Sequence, residues 1–127
     1  AHAELLGILE DYARERLKAA TPPATLSEKV RQALVSSLAE GKPQLEHIAK
    51  RLALSSRTLQ RQLLFEHTTF AKLVDEVRYS LARSYLKGEQ VSLAEIAFLL
   101  GFADQAAFTH AFRRWTGTTP RAFREHP

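Results

Sequence analysis

Cysteine is missing from all 127 residues, so no disulfide framework and no thiolate metal site can form, and a reducing compartment is permitted. Methionine is missing too, even at position 1, and the chain is therefore expected to be an excised part of a longer protein. No apolar run approaches the roughly 18 residues of a membrane span, and no signal-peptide pattern opens the chain. A membrane partner is not expected; the cytoplasm is. The sequence also lacks a HExxH pair, a serine or cysteine nucleophile motif and a glycine-rich phosphate loop, and His47, His67, His110 and His126 form no ligand pattern. Neither an enzyme nor a cofactor or metal is expected.

What is present is helical periodicity. Apolar residues, 45% of the chain, recur at three- and four-residue spacing, and no stretch alternates long enough for a strand. The fold class expected is all-α. The formal charge is +4 and the sequence pI about 9.7, which suits a polyanionic partner without demonstrating one. Arg14, Arg16 and Lys18 stand against Glu4, Glu10, Asp11 and Glu15, so residues 1–25 are net −1 and the remainder carries +5.

A first helix near 3–19 carries Leu5, Leu6, Leu9, Tyr12 and Leu17 and ends before "ATPPAT" at 20–25, where two prolines break helical hydrogen bonding. Thr25 with Glu28, and Ser92 with Glu95, have capping-box spacing. The first opens a helix expected to close at Gly41, and the second a helix at 93–100. Short helices are expected at about 45–53 and 55–66, and a long one within 69–88 presents Phe70, Leu73, Val74, Val77, Leu81 and Tyr85 as a core stripe. Thr119 before Pro120 marks a short final helix.

The sequence contains an internal repeat. "LEHIAKRLALSSRTLQRQL" (45–63) laid over "LAEIAFLLGFADQAAFTHAF" (93–112) matches Leu45, Ile48, Ala49 and Leu52 to Leu93, Ile96, Ala97 and Leu100 at an offset of 48. One extra residue then enters the turn, and Leu59 and Leu63 match Phe108 and Phe112 at an offset of 49. Each copy is a short helix, a turn and a second helix, with a small alanine where the two helices cross. The expected organisation is a helix and linker at 1–25, a first helix-turn-helix unit at 26–68, a connecting helix at 69–88 and a second unit at 89–127.

Once the inward residues are assigned, each second helix (about 55–66 and 104–115) leaves donor-rich side chains outside: Arg57, Thr58, Gln60 and Arg61 in one copy, Gln105, Thr109, His110 and Arg113 in the other. Arginine fits guanine's two major-groove acceptors, glutamine fits adenine's acceptor and donor, and threonine offers a hydroxyl or a methyl. No acid interrupts Arg57 to Arg61, whereas an ordinary solvated helix mixes in glutamates for intrahelical pairs. Arg113, Arg114, Lys50 and Arg51 are the leading phosphate candidates; Lys72, Arg78, Arg83, Arg121 and Arg124 either touch phosphates or merely solvate the surface. A connecting helix from 69 to 87 would be roughly 28 Å long, against roughly 34 Å between successive major-groove faces. One chain could then hold two reading helices on adjacent turns of DNA. The alternative is a helical protein-interaction module that uses the 70–86 stripe or the N-terminal helix.

"SSRTLQRQL", "SLAEIAFLLGF" and "AFTHAFRRWTGTTPRAFR", in this order around the long helix, resemble the C-terminal DNA-binding domain of the AraC/XylS family of bacterial transcription regulators over about 26–125. The resemblance implies two homeodomain-like helix-turn-helix units. It places Arg57, Gln60 and Arg61, and then Gln105, Thr109 and His110, at base-facing positions. It also implies double-stranded promoter DNA and RNA polymerase as partners, activation of transcription, and a missing effector or dimerisation domain whose tail residues 1–20 resemble. Four positions depart from the family. Ala53 and His67 stand where glycine is common near a helix C-terminus, so a left-handed backbone is expected there. Ala103 replaces a capping serine, leaving Asp104 to cap with a shifted boundary, and His110 replaces an arginine with a shorter, titratable group.

Overall fold

The computed structural model describes residues 2–19 and 25–126, with side chains described at 5–15 and 25–126. The described residues form eight α-helices and one 3-10 turn: α1 (His2–Ala19), α2 (Leu26–Ser37), the 3-10 turn Leu38–Glu40, α3 (Leu45–Arg51), α4 (Ser56–Phe65), α5 (Phe70–Leu86), α6 (Leu93–Leu99), α7 (Gln105–Thr116) and α8 (Pro120–Glu125). The break at 20–25 falls on residues 20–24, outside the described ones, and so does the side chain of Leu17.

Local chemistry sets the starts. Thr25, Ser92 and Thr119 accept from the amides of Glu28, Glu95 and Ala122, each cap contributing about 1 kcal/mol. Thr69 caps the connecting helix through the Lys72 amide. Helix α2 stops short of the expected Gly41. The hydroxyls of Ser36 and Ser37 both donate to the Ala33 carbonyl, competing with the helical ladder just where it tightens into the 3-10 turn.

The connecting helix organises the interior. Leu73, Val74, Val77, Leu81 and Tyr85 are buried and Phe70 is half-buried, so the apolar stripe is core and offers no docking surface. One continuous cluster runs from Val30, Leu34, Leu59 and Leu63 of the first unit through α5 to Ile96, Phe108 and Phe112 of the second. The two units share this core. At the second unit's end, Phe102, Phe108, Phe112, Trp115 and Phe123 pack with Tyr79 at centroid separations of 5.3–6.3 Å, partly edge-on. Helix α1 also packs on α5 and buries Tyr12 in the same cluster, with Leu5, Ile8 and Leu9 half-buried against it.

Candidate nucleic-acid interface

The two turns repeat bond for bond. In the first, the Ala53 amide donates to Lys50 O (3.1 Å) and the Leu54 amide to Ala49 O (2.9 Å). In the second, 48 residues on, the Gly101 amide donates to Phe98 O (3.0 Å) and the Phe102 amide to Ala97 O (3.0 Å). Both pairs close the end of the first helix around a left-handed residue, Ala53 at φ 59° and Gly101 at φ 82°. His67, after α4, lies at φ 62°. The extra residue of the second turn follows this point. Ser55 then caps α4 through the Thr58 amide (3.1 Å), and Asp104 caps α7 through the Ala107 amide (2.8 Å). Asp104 therefore supplies the cap that Ala103 lacks.

Burial fixes which face of each second helix is outside. In α4, Leu59 and Leu63 are fully buried, and at about 100° per residue Arg57 and Arg61 fall opposite them with Gln60 to one side, all three exposed. Leu64 continues that row at 63% exposure, and Phe65 beside it is 78% exposed. Thr58 sits at the edge, half-buried, its hydroxyl accepting from Ser55 Oγ at 2.9 Å. In α7, Phe108, Ala111 and Phe112 are buried, so Ala106, His110 and Arg113 centre the outer face. Gln105 is exposed at the first helical position and Thr109 half-buried at the edge; Thr109, His110, Arg113 and Arg114 line one shallow recess. With the offset of 49, Gln60 corresponds to Thr109, Arg61 to His110 and Leu64 to Arg113, while Arg57 corresponds to Ala106. Gln105 takes the register of Ser56. The second row is therefore shorter in reach than the first. Neither helix contains an acid.

The basic side chains divide. Lys50, Lys72, Arg113 and Arg121 are exposed. Arg51 bonds the Ala33 carbonyl (3.3 Å) and Ser36 Oγ (3.1 Å), and Arg114 pairs with Asp75 at 3.1 Å, both from exposed positions. Arg83 lies 5.7 Å from the Tyr79 ring centroid. Two others are structural. Arg78 donates from Nε to Leu100 O (2.8 Å) and from Nη2 to Gly101 O (3.0 Å), its guanidinium 4.0 Å from the Phe102 centroid. Burial lowers its pKa, Asp75 offsets part of that, and an arginine stays protonated regardless. Arg124 donates to the Leu86 and Tyr85 carbonyls at 3.1 and 3.2 Å, tying α8 to the open end of α5.

Sequence reasoning missed Glu66. A carboxylate just past a helix C-terminus is normally disfavoured, yet this one accepts from the Leu26 and Ser27 amides (3.2 and 3.0 Å) and the Ser27 hydroxyl at the N-terminus of α2. Burial raises its pKa, and the Ser27 hydroxyl, the two amides and Arg31 outweigh that and leave it lowered. Glu66 thus pins the end of α4 to α2. The only signal in the sequence was an acid where the dipole of α4 alone would reject one.

A family model described as a helix-turn-helix domain matches residues 48–126, from α3 through the end of α8. The chain belongs to the AraC/XylS family. Among its relatives is the ornithine utilization regulator of Pseudomonas aeruginosa, 47% identical over 85 residues, covering 67% of this chain and 25% of that protein. The regulator VirS of Mycobacterium tuberculosis is 39% identical over 103 residues, covering 81% and 30%. This AraC/XylS domain therefore spans about a quarter to a third of those relatives. Among solved structures, the transcriptional regulator CdpR of Pseudomonas aeruginosa aligns with a TM-score of 0.70 at 35% identity, covering 79% of this chain and 31% of that one. The DNA-binding domain of AdpA, solved in complex with a target DNA, aligns at 0.65 with 29% identity, covering 79% and 89%.

Proposed function

We propose that this AraC/XylS domain reads double-stranded promoter DNA by laying α4 and α7 in successive major grooves. The observation that carries the reading is the duplicated turn: the same backbone bonds twice deliver an acid-free helix with its polar row outward. In α4, Arg57 and Arg61 are assigned to guanine edges, Gln60 to adenine and Thr58 to the rim. Leu64, on the same row, offers an apolar contact to a thymine methyl. In α7, Gln105, Thr109 and His110 read and Arg113 meets phosphate, with Arg114, Lys50 and Arg51 as further phosphate contacts. Arg51 and Arg114 would have to leave Ser36 and Asp75 to serve. Helix α5, 17 residues and about 26 Å long, separates the two units on the scale of one DNA turn.

The whole protein is read as a cytoplasmic activator that contacts RNA polymerase and carries an effector or dimerisation domain outside this chain. Arg61→Ala should cost about 1–3 kcal/mol on the specific site and relax preference at one base pair. Arg113→Ala should weaken binding to all duplexes and reduce the salt slope by about 1. Both are measured by titration of specific and random duplex at several salt concentrations, and identical effects of the two substitutions would remove the assigned roles.

A further inference from the structure

Three bodies meet at the turn between α6 and α7. From one side α5 holds it: the Arg78 fork takes the Leu100 and Gly101 carbonyls, and its guanidinium covers Phe102. From the other side the first unit touches it. A Cβ added to Gly101 would lie 2.6 Å from Gly41 O and 2.8 Å from Leu38 O, closer than a side-chain carbon and a carbonyl oxygen can approach. Gly101 is buried, and its φ of 82° already favours glycine. The 3-10 turn of the first unit packs on α6 at this place. Helix α7 begins only a few residues later, at Gln105, so its direction is set by a turn fastened on two sides.

We infer that this junction fixes how the two recognition helices sit relative to each other, and that Arg78 and Gly101 are positioning residues for the gap between the two DNA half-sites. The inference rests on the reading that both helices engage DNA. A long helix with a loose second unit would follow sites of several gaps, since each unit could swing to its own groove. A second unit clamped to both α5 and the backbone of the first cannot, and gap length becomes part of the recognised sequence. Arg78 commits Nε and Nη2 to the Leu100 and Gly101 carbonyls and Gly101 is buried against the first unit, so both act on where α7 lies and not on which bases it prefers.

The test uses this chain with duplexes carrying the two selected half-sites at the best gap and at gaps longer or shorter by one and two base pairs. The wild type should prefer one gap by about tenfold or more, equivalent to about 1.4 kcal/mol. Arg78→Gln, which loses the charge and the two-pronged fork, should flatten the profile to within about threefold while the base preferences inside each half-site stay the same. Gly101→Ala, which forces the first unit away, should flatten it or move the optimum. A uniform loss at every gap with the profile shape kept would show a merely structural role and overturn the inference. A wild-type selection that returns a single half-site would overturn the two-helix reading, and this inference with it. Should the variants not fold, the cysteine-free wild type permits spin labels at Gln62→Cys on α4 and Ala106→Cys on α7. A narrow distance distribution in free protein is expected, and a broad one overturns the inference.

Discussion

Ala53 carries a Cβ in a backbone conformation, φ 59°, that costs an L-residue about 1–2 kcal/mol. Glycine removes that cost but loses more entropy on folding, by about 0.5–1 kcal/mol. Ala53→Gly should therefore raise the melting temperature by roughly 2–5 °C, measured by circular dichroism. A lower value would contradict a left-handed residue 53. His67, at φ 62°, should gain less, because histidine tolerates this region better than alanine. Leu64 makes a different kind of claim: a leucine 63% exposed on a polar reading row is explained if a thymine methyl covers it. Replacing that thymine by uracil removes one methyl and should weaken binding about fourfold, from about 0.8 kcal/mol per buried carbon. In Leu64→Ala the same replacement should cost almost nothing, and an equal cost in both proteins would place the methyl elsewhere.

At the scale of elements, Glu66 connects the C-terminus of one helix to the N-terminus of another and gives the first unit an acid-sensitive joint. Its carboxyl is lowered in the folded state, so the stabilisation is present above the unfolded value of about 4.3 and is lost as pH falls through the folded value. Glu66→Gln should melt below the wild type near pH 6, with the difference shrinking as pH falls below the unfolded value and gone once the folded-state carboxyl is protonated. A difference that does not change with pH would contradict the charge-based account. This joint also shows where the sequence stops being legible. The caps at Thr25, Ser92, Asp104 and Thr119 were readable, because a cap depends on residues three apart in the chain. The left-handed positions 53 and 67 were reached through the family resemblance. Glu66, Arg78 and Arg124 act on groups 22 to 40 residues away, and no local pattern distinguishes such a side chain from a solvated charge. For the same reason Arg78 and Arg124 were placed among the possible phosphate contacts, and the structure ties them, half-buried, to backbone carbonyls of neighbouring elements.

For the whole molecule, the repeat and the 70–86 stripe made the architecture readable: two similar units on one long apolar-faced helix. What could not be read was how tightly they are joined. The core is continuous, and the two units also touch directly at Gly101, a contact that depends on backbone atoms some 60 residues apart in sequence. The asymmetry between the units, Arg57 and Arg61 against Ala106 and His110, predicts a stronger first half-site and a weaker second. That one chain engages both is the central claim. Guanine-methylation interference on the selected duplex, with one chain bound per duplex, tests it most directly because N7 methylation blocks major-groove contacts. Two clusters of interference centred about 10 bp apart, the stronger from the first unit, are predicted. A single cluster, or two that require two chains, would contradict it.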